Sequence, residues 1–277
     1  MRGVPVAADR RARFRALHER GCFVLPNPWD AGSAKLLARM GFQALATTSA
    51  GYAWSQGLPD GEVVTREMVL EHLRVIVAAT GLPVNADFES GYAKDAQGVA
   101  QSVRMAIDTG VAGISIEDST GDAANPVRTV EDALARLRAA RAAIDESKSG
   151  VMLIGRAENF FLGRPDIEDT VARLKAYSQA GADCLYAPGI KTREHIAAVV
   201  KAVAPKPVNL LIGGTSELTV KDAQVLGVRR ISVGGALARA AWGGFFRAAR
   251  ALADEGRFDG FAGATAGKEL NEAFGGG

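Results

Sequence analysis

The chain has 277 residues, of which 48% are hydrophobic and 23% are charged. A chain of this size and composition can bury either one large α/β barrel or the cores of two smaller domains. Its formal net charge is only +2 and its pI is about 8.6, which indicates neither a nucleic-acid-binding nor a membrane-binding surface but is compatible with a small anionic ligand. No apolar segment reaches the roughly 18 residues of a transmembrane helix, and the N-terminus lacks the apolar region of a signal peptide. We therefore expect a cytoplasmic protein.

The sequence contains two cysteines, Cys22 and Cys184. Both fall in apolar, strand-like segments, and their spacing does not match a zinc site or a disulfide scaffold. We expect both to be thiols of the protein core.

Short apolar segments alternate with amphipathic segments along the chain, which is typical of repeated βα units with strands buried on both faces. The pattern predicts an N-terminal helix over residues 8–20 and a C-terminal helix over 236–253, followed by a glycine-rich stretch over 258–267. Between the two helices it predicts eight strands, near residues 22–27, 44–49, 83–88, 113–118, 151–158, 184–189, 207–213 and 229–234.

Eight such units in about 250 residues predict an α/β fold of the (β/α)8 TIM-barrel type. We expect one domain over residues 1–277, with an N-terminal helix in 1–21, the barrel in 22–235 and C-terminal helices in 236–277. The last helix could swap between subunits. A doubly wound open sheet is the alternative architecture.

Charged side chains follow three consecutive predicted strands. Asp87 and Glu89 end the first of these strands, Glu117 ends the second, and Arg156 and Glu158 end the third. The carboxyl ends of barrel strands form one active face, so these groups should meet at one mouth. Carboxylate oxygens there favour Mg²⁺, with Mn²⁺ as the alternative, over zinc. A purely structural ion-pair network around Arg156 is the competing interpretation.

Several motifs occur together and in order: PNPWDA at 26–31, TSAG at 48–51, GLPD at 57–60, ADFESGY at 86–92, IED at 116–118 and GRAE at 155–158. Together they resemble the phosphoenolpyruvate mutase/isocitrate lyase superfamily. The resemblance covers the first five strands, and from the sixth strand onward it is only architectural.

The resemblance implies a Mg²⁺-dependent lyase that cleaves a carbon-carbon bond of a small 2-oxo or 2-hydroxy acid, or decarboxylates it, through a metal-bound enolate. Oxaloacetate decarboxylation is one such reaction. The resemblance also implies a homo-oligomer, either a dimer or a tetramer.

The resemblance further assigns roles to residues at the expected mouth. Metal binding falls to Asp87, Glu89 and Glu117, with Asp60 and Glu89 holding bridging waters. Substrate binding falls to Ser49, Ala50, Gly51, Tyr92 and Arg156. Catalytic roles fall to Arg156, Asp60, Glu117 and Asn125.

One loop departs from the superfamily pattern. Isocitrate and methylisocitrate lyases carry a Lys-Lys-Cys-Gly-His loop after the Ile-Glu-Asp strand, whereas residues 119–128 here read STGDAANPVR. We therefore do not expect a true isocitrate lyase. In mutases and phosphonopyruvate hydrolases the same loop meets a phosphonate, so Asn125 and Arg128 keep that alternative open, beside an ordinary turn capped by Asn-Pro.

Two further alternatives come from the end of the barrel and from the fold itself. Gly213-Gly214 and Gly234-Gly235 follow the last two predicted strands, where many barrels bind phosphate, so a phosphate-binding barrel enzyme is one alternative. A catalytically inactive barrel that binds a metabolite or a partner is the other.

Overall fold

A computed structural model describes residues 6–61 and 63–275. Eight parallel strands pair in the order β1-β8-β7-β6-β5-β4-β3-β2, and the backbone N–H of Ala46 donates to the carbonyl of Pro26 at 3.1 Å across the remaining gap between β2 and β1. The prediction of a (β/α)8 barrel is therefore confirmed. The strands are β1 (Phe23–Leu25), β2 (Leu45–Ala46), β3 (Val84–Asp87), β4 (Gly113–Glu117), β5 (Met152–Arg156), β6 (Cys184–Tyr186), β7 (Val208–Leu211) and β8 (Arg230–Ser232).

Helices surround the strands. The helices are α1 (Val6–Leu17), α2 (Ala31–Arg39), α3 (Ser49–Ser55), α4 (Arg66–Ala79), α5 (Ala96–Asp108), α6 (Val130–Ser147), α7 (Ile167–Gln179), α8 (Arg193–Val203), α9 (Val220–Val225), α10 (Ala236–Glu255) and α11 (Gly267–Gly275). None of the helices in the described part of the chain is both long and apolar enough to cross a membrane.

The strands are shorter than the apolar pattern predicts because the residues beyond them bond elsewhere. The predicted strand 44–49 stops at Ala46, since Ser49 already begins α3 and the hydroxyl of Thr48 accepts the Gly51 N–H as the helix cap. Likewise, the N–H of Glu158 donates to the carboxylate of Asp118 at 2.7 Å instead of continuing β5. Apolar side chains continue past a strand end wherever the loop is still buried.

The C-terminal segment is more regular than its glycine content indicates. Residues 258–267 contain a 3₁₀ helix over Asp259–Phe261, and α11 follows. In this chain α11 lies against α2, where a guanidinium nitrogen of Arg39 donates to the carbonyl of Ala273 at 2.6 Å. The domain limits and the exchange of a C-terminal helix between subunits stay predictions.

The barrel interior is closed at its amino-terminal end by α1. Phe14 is fully buried there, in one cluster with Ala44, which directly precedes β2, and Met152, which begins β5. Cys184 belongs to the same buried cluster, while Cys22 is half-buried against the outer core, as expected for core thiols. In the described residues α1 covers this end, so the carboxyl ends of the strands are the side from which a ligand can enter.

Candidate active site

A cavity of about 360 Å³ lies at the carboxyl ends of the strands. Five residues that the sequence assigned to the site line it, namely Ser49, Ala50, Asp60, Asp87 and Arg156. This is the face on which barrel enzymes place their chemistry.

Arg156 is the centre of a cluster of carboxylates. Its Nη1 lies 3.0 Å from Oδ1 of Asp87 and 3.1 Å from Oε2 of Glu117, and its Nε donates to Glu158. Strand register creates this arrangement, because Arg156 on β5 pairs directly with Glu117 on β4. The ring of Tyr186 on β6 lies 5.1 Å from the guanidinium carbon. A single guanidinium thus forms ion pairs with three carboxylates.

The burial of this cluster changes its protonation equilibria. Burial raises the pKa of Glu117 well above its usual value, and it also raises the pKa of Glu158, with Arg156 opposing both effects. Burial alone would lower the pKa of Arg156, but the charges of Glu117 and Glu158 hold it well above its usual value. The guanidinium is therefore always charged, and the raised pKa values of Glu117 and Glu158 mean that these two acids bind a proton more readily than free carboxylates.

Asp87 is held in one orientation by bonds on both sides. Its Oδ2 accepts the backbone N–H and the hydroxyl of Ser49, each at 3.0 Å, while Oδ1 faces Arg156. Its own N–H donates to the hydroxyl of Thr47 at 2.9 Å. The start of α3 is thereby connected to the end of β3.

Asp60 stands at the exposed mouth of the cavity. Partial burial, followed by the negative charge of Asp87, raises the pKa of its carboxyl group. Three carboxylates share the single guanidinium of Arg156, and Asp60 adds a fourth carboxyl group that Asp87 repels. Negative charge therefore exceeds positive charge in this part of the cavity.

Two predicted site residues lie behind the cavity wall rather than on it. Glu89 is buried with a φ of 44°, and Tyr92 has a φ of 50° and packs edge-on against Phe88 at 5.2 Å. Burial, together with the charge of Glu89, raises the pKa of the Tyr92 hydroxyl. Neither side chain lines the cavity, so direct contact with substrate is not supported for Tyr92.

Gly51 and Asn125 are also away from the cavity. The N–H of Gly51 donates to Thr48 Oγ1 at 3.2 Å, so it is committed to the helix cap and does not face a ligand. The exposed Asn125 is folded into its own loop, where its carbonyl accepts the Thr120 hydroxyl at 2.5 Å and its N–H donates to the carbonyl of Asp122. The geometry of the loop therefore favours the capped-turn interpretation of residues 119–128.

The side chains at this site are of the type that binds a hard cation. In this structure, however, two of them, Asp87 and Glu117, contact Arg156. Asp60, Asp87 and Glu117 offer only carboxylate oxygens, the ligands that Mg²⁺ and Mn²⁺ prefer. Across residues 6–61 and 63–275, however, no three His, Cys, Asp or Glu side chains converge in the geometry of a preformed metal site. Oδ1 of Asp87 and Oε2 of Glu117 both contact the guanidinium instead. The identity of the metal ligands stays a prediction.

The floor and far wall of the cavity were not predicted from the sequence. They are formed by Asn27, Thr47, Asn85, Ser115, Phe161, Tyr186, Arg230, Ser232 and Arg239. A signal for one of them was present: Arg229 and Arg230 are adjacent in an apolar strand, and alternation along a strand requires one of them to point inward.

Gly213, Gly234 and Gly235 border the same cavity, and some of the polar groups of these turns are already bonded. Oδ1 of Asn27 accepts the N–H groups of Val233 and Gly234, both at 2.9 Å. The carbonyl of Gly213 accepts a bond from Arg239. The N–H of Gly234 is therefore committed to Asn27 and is not open to a phosphate.

Comparison with known proteins identifies the family. The model of the phosphoenolpyruvate phosphomutase family matches residues 14–253. The chain belongs to the phosphoenolpyruvate mutase/isocitrate lyase superfamily. Among curated relatives, the oxaloacetate decarboxylase of Paraburkholderia xenovorans (strain LB400) is 32% identical over 235 residues, covering 82% of this chain and 75% of the relative. The prediction of a lyase of this superfamily is confirmed.

Solved structures of the superfamily match nearly the whole chain. A crystal structure from Burkholderia cenocepacia J2315, provisionally assigned as a lyase or mutase, is 47% identical with a TM-score of 0.93, covering 97% of this chain and 96% of that one. Oxaloacetate acetylhydrolase in complex with its product oxalate is 29% identical with a TM-score of 0.85, covering 98% and 95% of the two chains. A 2,3-dimethylmalate lyase is 26% identical with a TM-score of 0.84 and covers the same shares.

Proposed function

We propose that this protein is a Mg²⁺-dependent lyase that removes a carbon fragment from a small 2-oxo acid, with oxaloacetate as the leading candidate substrate. The observation that carries the proposal is the cluster of acids from consecutive strand ends, Asp87, Glu117 and Glu158, around one guanidinium beside an open cavity. Relatives named oxaloacetate decarboxylase and oxaloacetate acetylhydrolase support the choice of substrate.

Asp87 and Glu117 are the residues that would hold the cation. When bound, Mg²⁺ would supply positive charge opposite the substrate oxygen that becomes negative as the bond breaks. Its binding would also offset the excess of carboxylates over guanidinium in this cluster.

The chain's own residues supply the remaining functions. Arg156 lines the cavity and stays charged, so it can donate to an oxygen that gains negative charge, which is where a fixed donor contributes most. Ala50, in the first turn of α3, lies on the same wall and can contact a carboxylate of the substrate, whereas the Ser49 hydroxyl would first have to release Asp87. Ser49 is kept in place by its two bonds to Asp87.

Asp60 is our candidate for proton transfer. Its carboxyl group lies at the mouth of the cavity, and its raised pKa brings its titration closer to neutral pH than that of an ordinary aspartate. We propose that a protonated Oδ atom of Asp60 delivers the proton that the substrate carbon needs after the fragment leaves.

Carbon-phosphorus chemistry remains the second candidate from the superfamily, but no contact in the cavity favours it. The loop 119–128, which would meet a phosphonate, bonds to itself, with an isolated bridge between Ser119 and Val127. Phosphonopyruvate is therefore included in the substrate test as the competing compound.

The test is a screen of 2-oxo acids with purified protein and Mg²⁺. We expect pyruvate or a related oxo acid to form from oxaloacetate or a substituted malate, EDTA to abolish the reaction, and Mn²⁺ to restore it. The variant Asp87→Asn should lose at least about a hundredfold in kcat/KM because it removes a charge from the proposed metal site. Phosphorus NMR on phosphonopyruvate checks the alternative in parallel.

A surface acid provides the matched control. Glu146→Gln removes a carboxylate that pairs with the exposed Arg104 at 2.8 Å, so its turnover should equal that of the wild type. Unchanged turnover in Asp87→Asn, or turnover that resists chelation, would contradict the metal model. Consumption of phosphonopyruvate in place of oxo acids would replace the lyase proposal with the second candidate.

A further inference from the structure

Arg230 is a buried arginine that lines the floor of the cavity. It lies on β8, it is only 2% exposed, and it forms no salt bridge with any residue in the described ranges 6–61 and 63–275. Placing a guanidinium out of water without a carboxylate costs several kcal/mol. Its retention in the barrel interior therefore calls for an explanation.

The partners of Arg230 are neutral. Its Nε donates to Oδ1 of Asn209 at 2.8 Å, and its Nη1 reaches Oδ1 of Asn85 at 3.4 Å from the opposite side of the barrel. Within the described part of the chain, Nη2 has no hydrogen-bond partner. Burial lowers the pKa of Arg230, yet an arginine keeps its proton at any physiological pH. A full positive charge thus remains uncompensated.

Neighbouring hydroxyl groups fix the two amides that face Arg230, and the cavity beside them has space for a ligand. Asn85 donates to the hydroxyl of Ser115 at 2.9 Å, and Asn209 donates to the hydroxyl of Ser232 at 3.0 Å, so the amide oxygens point to Arg230. Gly113 is necessary here, because a Cβ at this position would lie 2.5 Å from Asn85 Oδ1. Three members of this polar layer, Asn85, Ser115 and Ser232, line the cavity together with Arg230.

The two arginines of the cavity contrast in their charge balance. Arg156 is surrounded by three carboxylates, whereas Arg230 has amides and the ring of Phe14, whose centroid lies 6.0 Å from the guanidinium carbon. An anion entering the cavity therefore meets excess negative charge near its mouth and excess positive charge on its floor. Apart from the exposed Arg239 at the rim, a second carboxylate on the ligand would find its counter-charge at the floor, where the guanidinium is buried.

We propose that Arg230 forms an anion subsite on the cavity floor and that this subsite receives the second carboxylate of a dicarboxylate substrate. The substrate part of this inference rests on the proposed function, because it assumes that the same cavity holds the reacting acid. Ser115 and Ser232 are the neighbouring hydroxyl groups that can add hydrogen bonds to the anion.

The test compares an unreactive dicarboxylate with a monocarboxylate of the same chain length, in EDTA and without turnover. Isothermal titration with succinate and with butyrate should show that the wild type prefers succinate. Arg230→Gln should reduce this preference by roughly tenfold to a hundredfold, the value of a hydrogen bond to a charged group. Arg230→Lys, which keeps the charge, should retain part of it.

Arg239→Gln is the matched control, because Arg239 lines the same cavity but is exposed at its rim. We expect this variant to keep the preference for succinate. An equal preference in Arg230→Gln and in the wild type, or its loss only in Arg239→Gln, would overturn the proposal. An inactive protein in the oxaloacetate assay would contradict the proposed function without altering these affinities.

A measurement on the unaltered protein covers the case in which Arg230→Gln does not fold. Crystals soaked in bromide should give an anomalous peak within hydrogen-bond distance of the Arg230 guanidinium. Bromide peaks at other positions with none at Arg230 would show that the floor does not attract anions and would end the proposal.

Discussion

At the scale of single residues, the site depends on how charge is distributed over two guanidinium groups. The ends of β3, β4 and β5 supply the acids around Arg156, and their order along the chain made this cluster predictable from the sequence. Arg230 was not predictable in the same way, because its role depends on which carboxylates are absent from its surroundings. That information exists only once eight strands are brought together.

The Arg156 cluster makes a stability prediction. Arg156→Met should lower the free energy of unfolding by about 3 to 5 kcal/mol at neutral pH, because it leaves Asp87, Glu117 and Glu158 buried without a cation. The measurement is urea denaturation followed by circular dichroism. Arg104→Met, which breaks an exposed pair with Glu146, should cost less than about 1 kcal/mol.

The pH dependence of this loss follows from the raised pKa values of Glu117 and Glu158. The folded state binds more protons than the unfolded state once the pH exceeds the usual pKa of 4.5, so the stability from this source is present below that pH and decreases as the pH rises through the folded values. Without Arg156, no cation offsets the burial of Glu117 and Glu158 or the repulsion between them. The pKa values of these two acids therefore rise further. The difference between Arg156→Met and the wild type should therefore grow between about pH 5 and pH 8; a constant difference would contradict this account.

At the scale of elements, the sequence predicted all eight strands and the helices at both ends but not α3. The segment 48–51 was recognised as a turn near the site, whereas its helical continuation through Trp54 depends on contacts with distant elements. Gly51 shows this directly. A Cβ there would lie 2.7 Å from Thr48 Cγ2, 3.1 Å from Trp29 Cβ and 3.3 Å from Ala238 Cβ, the last of these on α10.

We accordingly predict that Gly51→Ala destabilises the protein by about 1 to 3 kcal/mol, the usual cost of overpacking. It should also reduce kcat/KM on the identified substrate, because any shift of α3 moves Ser49 away from Asp87. Thermal denaturation and steady-state kinetics measure the two effects.

Gly244→Ala is the control for the same chemical change in a helix with room for it. The nearest atom to its added Cβ is Arg247 Nη2 at 3.8 Å, so this variant should gain about 0.5 to 1 kcal/mol from the higher helix propensity of alanine. If both variants changed stability by the same amount, close packing of α3 would not explain the result.

At the scale of the whole molecule, the C-terminal region exposes apolar side chains that the barrel does not cover. Phe245 and Phe246 on α10 are 59% and 52% exposed, and Phe258 beyond it is 69% exposed. Phe246 and Trp242 border an apolar groove that continues to Trp54, which also lines the cavity. Contiguous apolar surface of this kind is typical of a protein-protein contact, and the resemblance of the sequence to its superfamily implied a homo-oligomer.

We therefore expect a second copy of the chain to cover α10 in solution. Light scattering coupled to size-exclusion chromatography should give the wild type a mass that is a multiple of 29.0 kDa, and the double variant Phe245→Glu, Phe246→Glu should elute as the monomer because two buried charges would be unpaired in the interface. Val225→Glu alters a residue that is 79% exposed on α9, which does not line the apolar groove, and should keep the wild-type mass. A monomeric wild type would contradict the expectation that a second copy covers α10.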